Sequence, residues 1–318
     1  MRILAFLAAL LLAAPAWAQA YPARPVKVVV TFPPGGTPDI YGRVMSAELQ
    51  KLWSQAVVVE NRTGASGTIG TDFVAKAAPD GYTLLFAADV SLTLAYSLIA
   101  KLPYDSLRDF APISNVTSGP FVLLAHPALP ANDVKGLVAL AKAQPGKMSY
   151  ASSGSGSQQH LAMEVVRVMT GIDLLHVPYK GFGPGVTDVM AGHIPLVFGG
   201  ITASIGLIRG GKVKGIAVTS PARAKALPDV PSFQEQGLDG FDIQAWYGFV
   251  APAGTPGDIV GKINADLRAI IARSDFQERL AKDGLEPVGN TPSAFAVQIK
   301  SDIERWAGIV RRAGLKPE

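Results

Sequence analysis

The sequence predicts an α/β protein of two lobes, each a mainly parallel sheet flanked by helices. Three observations carry this. Short β-branched runs alternate with segments of helical period along most of the chain, the pattern of parallel strands covered by crossover helices. The pattern restarts near residue 120 and later gives way to a helical tail. The length, 318 residues, is that of two ordinary domains.

The elements follow in chain order. Met1-Arg2, an uncharged apolar run to Ala14, Pro15 and Ala16-Trp17-Ala18 have the anatomy of a secretory signal peptide. The run is too short for a stable membrane anchor, so residues 1–18 are expected to be a cleaved signal peptide. Val26–Val30 reads as a buried strand, ended by Pro33-Pro34-Gly35-Gly36. Tyr41, Met45, Leu49 and Leu52 then recur at helical spacing. Residues 56–59 predict a second strand. Residues 68–78 predict a helix with Ile69, Phe73 and Ala77 on one face. Residues 82–86 predict a third strand after the turn Pro79-Asp80-Gly81.

In the second half, residues 121–125 predict a strand. Asn132 or Asp133 caps a helix carrying Val134, Leu137 and Ala141. Residues 148–152 predict a strand, followed by a helix with Leu161, Val165 and Met169. Further strands are expected at 174–177, 194–198, 213–218 and 243–250. In the tail, Ile259, Ile263, Leu267 and Ile270 form one apolar stripe. Ile299, Ile303 and Trp306 form another, on a helix begun by Thr291 and Pro292. The chain is expected to cross between lobes around 119–121 and 247–250. Lobe one is then 21–121 plus 249–318, and lobe two is 122–248.

Composition narrows the function. There is no cysteine, which excludes thiolate metal sites, iron–sulfur clusters and cysteine catalysis, and leaves no residue for a lipid anchor. The exported chain is expected to be free in a periplasm. The formal charge of +4 is spread without a basic block, which suits an anionic ligand and does not argue for nucleic acid.

Three loops stand where strands give way to helices, the place where open α/β sheets bind ligands. The first holds Gly35, Gly36, Thr37 and Asp39. Its glycines admit close backbone approach, and the helix start offers N–H donors to a carboxylate or phosphate. It reads equally as an ordinary turn. The second, Asn61-Arg62-Thr63-Gly64-Ala65-Ser66-Gly67-Thr68, holds small polar residues, with Arg62 read as a surface residue. The third carries Ser153, Ser155, Gly156 and Ser157 before a helix containing His160, a second anion nest. A serine hydrolase using Ser155 or Ser157 is the weaker reading, because no Gly-x-Ser-x-Gly occurs and His160 is read as helix-start support. No nucleotide or metal motif is present: Gly181-Phe182-Gly183-Pro184-Gly185 lacks the dinucleotide fingerprint. No catalytic residue, cofactor or metal is expected.

With those loops in view the sequence resembles the tripartite tricarboxylate transporter substrate-binding proteins, the Bug family of periplasmic receptors. The resemblance runs over Tyr21-Pro22-x-Arg24-Pro25, Phe32-Pro33-Pro34-Gly35-Gly36-Thr37-x-Asp39, Val57-Val58-Val59-Glu60-Asn61-Arg62 and Ala75-Lys76-Ala77-Ala78-Pro79-Asp80-Gly81-Tyr82. It continues in Leu102-Pro103-Tyr104-Asp105, Tyr150-Ala151-Ser152-Ser153-Gly154, His176-Val177-Pro178-Tyr179-Lys180-Gly181 and Ala251-Pro252-Ala253-Gly254-Thr255-Pro256. It implies a two-lobed, type II-like Venus-flytrap receptor. Such a receptor closes on a small organic carboxylate and delivers it to a permease of large and small integral membrane subunits. An alternative is ligand presentation to a membrane sensor kinase.

The resemblance carries the ligand contacts onto Gly35, Gly36, Thr37, Ala65 and Gly67 of lobe one and Ser153, Ser155, Gly156 and Ser157 of lobe two. Two positions depart from the family pattern. Gly199-Gly200 stand where relatives place an aspartate, which disfavours an amino-acid ligand and leaves room for a bulkier one. Asp89 follows the third strand, in the cleft or in solvent. Trp246, with Tyr247, is a candidate aromatic wall, or else interlobe packing.

Overall fold

The computed structural model describes residues 21–312 and Gly314. The expected signal peptide lies outside the described residues, as does the last stretch of the tail. Among the described residues no helix is long and apolar enough to cross a membrane.

The strands are β1 (Val26–Val30), β2 (Val57–Asn61), β3 (Thr83–Ala88), β4 (Phe110–Ala125), β5 (Ser149–Ser152), β6 (Leu175–Pro178), β7 (Leu196–Gly200), β8 (Lys214–Val218), β9 (Gln244–Pro252) and β10 (Glu286–Pro287). The helices are α1 (Thr37–Trp53), α2 (Thr68–Ala75), α3 (Ala95–Leu98), α4 (Val134–Ala143), α5 (Gln158–Thr170), α6 (Phe182–Met190), α7 (Ile201–Arg209), α8 (Gly257–Ile271), α9 (Ser274–Lys282) and α10 (Pro292–Arg312). A π-turn, Val90–Leu94, links β3 to α3.

The strand order β2-β1-β3-β9-β4-β7-β5-β6 makes two sheets that share β4. Pairing is parallel in β2-β1-β3 and in β6-β5-β7. It is antiparallel wherever β4 or β9 takes part. The sixteen residues of β4 change partners midway: Phe110 to Pro120 pair with β9, and Phe121 to Ala125 pair with β7 and β8. β9 pairs along its length with β4, from Gln244 onward, and with β3. The fold is therefore two-lobed and mixed α/β.

Local sequence explains most elements. In β1 four valines are fully buried between the flanking layers. In α1, Tyr41, Met45, Leu49 and Trp53 are buried at successive four-residue steps, so the stripe ends on Trp53 and leaves Leu52 exposed. Asp133 caps α4 by accepting the Gly136 N–H. Thr291 accepts the Ala294 N–H at the start of α10.

The second helix differs from the sequence reading. It ends at Ala75, and it buries Gly70, Thr71 and Val74 while Ile69 is exposed. A Cβ at Gly70 would lie 2.6 Å from the Arg62 carbonyl, so the small face, not the apolar one, packs on the sheet.

Candidate ligand-binding cleft

The strand directions decide where ligand-facing loops can meet. β3 and β4 both run antiparallel to β9, so they point the same way. β4 leads from the first sheet into the second. The carboxyl ends of β1, β2 and β3 therefore aim at lobe two. β7 is antiparallel to β4, so β5, β6 and β7 aim back at lobe one. Ala88 at the end of β3 is level with Tyr247 and Thr117, while Gly200 at the end of β7 is level with Phe121. From Thr117 to Phe121 is four residues, roughly 13 Å along a strand. Two sets of strand ends thus confront each other at levels roughly 13 Å apart along β4.

Lobe one contributes three segments. In the β1–α1 loop Gly35 has φ +89°, which favours glycine, whereas Gly36 is extended at φ −79° and caps α1. Thr37 begins the helix beside the phenol of Tyr247. Asp39 clamps the loop. Its carboxylate accepts the Gly35 N–H at 3.0 Å, Arg43 Nε at 2.9 Å and Asn61 Nδ2 at 2.8 Å. Burial alone would push its pKa up, but these donors outweigh burial and hold it below the usual carboxylate range. Its bonding capacity is spent on the fold.

The second segment is a run of four left-handed residues: Gly64, Ala65, Ser66 and Gly67, at φ +121°, +45°, +55° and +92°. Two of them are not glycine, and each such residue costs on the order of 1–2 kcal/mol of backbone strain. Gly67 sits against Thr31: a Cβ there would lie 3.0 Å from Thr31 Oγ1 and 3.2 Å from Ser91 Cβ. The Thr31 hydroxyl is buried and has no hydrogen-bond partner among the described residues.

The third segment is Asp89, fully buried after β3. Gln158 Nε2, the first side chain of α5 in lobe two, donates to Asp89 Oδ2 at 2.5 Å, and Oδ1 lacks a partner. Burial, reinforced by Asp302, lifts this carboxyl well above the usual range.

Lobe two contributes the 153–157 loop. Ser157 caps α5 by accepting the His160 N–H at 3.2 Å, and Gly156 N–H donates to His160 Nδ1 at 3.1 Å. His160 lies face to face with His176, centroids 3.9 Å apart, and Tyr150 stacks obliquely on the pair, 4.9 Å from His176 and 6.5 Å from His160. Ser152 Oγ meets His176 Nε2 at 2.6 Å. Burial, with His160 adjoining, pushes His176 down to about 4 and lowers His160 too, so both rings are neutral near pH 7. This is a stack beneath the loop, with Tyr150 and His160 buried and His176 partly exposed. Ser153 is half-buried and Ser155 is exposed. Neither Ser155 nor Ser157 hydrogen-bonds an imidazole among the described residues.

The model of the tripartite tricarboxylate transporter family receptor matches residues 41–315. The chain belongs to this family. The receptor is 38% identical to protein BugT of Bordetella pertussis over 98% of its own length and 96% of the relative's. Its fold is similar to that of R. palustris Rpa4515 with adipate, with a TM-score of 0.88 at 32% identity, covering 94% of the receptor and 100% of that chain. It is also similar to periplasmic binding protein BugD, with a TM-score of 0.84 at 36% identity over 94% and 100%. The receptor is a solute-binding protein of this kind.

Within the receptor the expected site residues have different placements. Gly35, Gly36, Thr37, Ala65, Gly67 and Asp89 stand on loops after the carboxyl ends of lobe-one strands, and Ser153, Ser155, Gly156, Ser157 and Gly199 stand at those of lobe two. Trp246 is 2% exposed. It donates Nε1 to Asp302 at 2.8 Å and meets Phe295 edge-on, so it packs α10 against β9. At Gly199 the space a side chain would take is filled by Phe182 and the Ser204 hydroxyl, while at Gly200 it is open. Arg62 is held at the surface by Glu60 and the Phe73 ring. Sequence reasoning places Thr31 at the head of the first loop without singling it out, and it passes over Gln158, His176 and Phe182 as site residues. A polar residue directly after a buried strand was the available signal for Thr31. The other three depend on contacts that no local pattern displays.

Proposed function

We propose that the receptor captures a small organic carboxylate between its lobes and hands it to the large and small integral subunits of a tripartite tricarboxylate transporter. The observation that carries this reading is the confrontation of strand ends from the two lobes, with the unpartnered Thr31 hydroxyl and glycine-rich helix starts around it. Backbone N–H groups at helix starts and hydroxyls are donors suited to a carboxylate. The relative with adipate supports the ligand class.

The reading includes export to the periplasm after removal of residues 1–18. It takes lobe one as 21–121 plus 249–318, lobe two as 122–248, and the crossings around 119–121 and 247–250. It also includes binding without catalysis. The Ser157 hydroxyl is engaged as a cap, and His160 Nδ1 is engaged by Gly156, so neither is set up as a nucleophile and its base.

The test is isothermal titration of the mature chain, from Gln19, with mono-, di- and tricarboxylates. Saturable binding of one class at a stoichiometry of about one supports the proposal. A folded, ligand-free protein that binds none of them defeats it.

A further inference from the structure

Phe182 opens α6 at the carboxyl side of β6, half-buried, directly after Gly181 at φ +110°. Its ring lies over the end of β7. A Cβ on Gly199 would be 2.6 Å from Phe182 Cε2, 2.7 Å from Cζ and 2.6 Å from Ser204 Oγ, closer than any real contact. Ring and bare strand therefore fit only each other. The next residue, Gly200, has open space where its Cβ would be, on the opposite face of β7. The half-buried Phe182 ring therefore stands on the Gly199 face at the carboxyl end of β7, the end that confronts lobe one.

The charges around it point the same way. A buried ammonium group is held best by a carboxylate with bonding capacity to spare. Asp39 is taken by three donors, Asp89 is buried on Gln158, and Asp188 is engaged by the Tyr179 hydroxyl and His193. An acidic side chain cannot come from position 199 while the ring is there.

We propose that Phe182, seated on Gly199, is the specificity-determining residue of the cleft, selecting carboxylates with an apolar body and rejecting their amino counterparts. The inference rests on the carboxylate-receptor reading above and deepens it.

The experiment titrates matched pairs that differ by one amine: adipate and 2-aminoadipate, succinate and aspartate, 3-phenylpropionate and phenylalanine. For at least one pair the wild type binds the amine-free member more than tenfold tighter. Phe182→Ala, or Phe182→Leu if the alanine variant does not fold, weakens that member about tenfold. Phe182→Ala combined with Gly199→Asp narrows or inverts the ratio. A ratio unchanged in the folded Phe182 variants overturns this inference and leaves the receptor reading standing. A wild type that binds no member of any pair overturns this inference, and the receptor reading falls with it only if the mono-, di- and tricarboxylate titration also finds no binding.

Discussion

Gln158 reaches across the junction of the lobes to place Nε2 2.5 Å from Asp89 Oδ2. Asp89 follows β3 of the first sheet and Gln158 opens the helix after β5 of the second, and both are buried. The contact therefore ties an element of one sheet to an element of the other.

Asp89→Asn keeps an acceptor for Gln158 and removes the charge. A carboxyl raised by folding contributes stability that is present below its unfolded pKa and is lost as pH rises through the folded one. The variant is therefore more stable than wild type at about pH 8, by about 1–3 kcal/mol, and similar to it near pH 4. Melting temperature against pH for both proteins checks this. Parallel curves would show that Asp89 carries no such cost.

The stack under the serine loop gives the opposite slope. His176 is pushed down to about 4 from its ordinary 6.5, so the unfolded chain binds the proton more readily. Its contribution to stability is full above 6.5 and is lost as pH falls towards 4. His176→Gln should flatten that part of the curve by on the order of 1 kcal/mol, after allowance for the ring's partial exposure. Equilibrium denaturation at several acid pH values measures it.

The adjacent glycines 35 and 36 separate folding from binding. Gly35 needs its positive φ, so Gly35→Val costs about 1–2 kcal/mol of stability. Gly36 is extended, and a Cβ there meets Pro38 at an ordinary 3.6 Å, so Gly36→Val should fold normally. The added side chain should still cut carboxylate affinity at least about tenfold by covering the helix start. Unchanged affinity in folded Gly36→Val would remove this loop from the site.

Thr31→Val deletes a buried hydroxyl that has no protein partner. Its removal should leave the ligand-free protein as stable as wild type, or more stable by about 1 kcal/mol. If the hydroxyl serves the ligand, affinity falls about tenfold while stability does not. Loss of stability without loss of affinity would assign Thr31 to the fold.

Much of the fold is legible because its strands are short β-branched runs set off by turn residues, as in Val26–Val30. The first part of β4 is not. Pro112, Ser114, Asn115 and Ser118 read as loop, and pairing with β9 makes them strand. At the cleft the sequence displays turn chemistry: Gly35, Gly67 and Gly156 all take positive φ. It does not display partnerships that close over long separations. Gln158 finds Asp89 from 69 residues away, and Phe182 owes its position to a missing side chain at Gly199.

The unbroken course of β4 through both sheets bears on how such a protein can diverge. Adding or deleting one residue near Phe121 would turn every following side chain to the opposite face, exchanging Val122 and Leu124 with Leu123 and Ala125 between the two cores they serve. A change of length there would disturb both cores at once unless a bulge absorbed it, as the register shifts elsewhere in β4 do. The loops on either side can lengthen without that cost, so the strand acts as a fixed spacer between them.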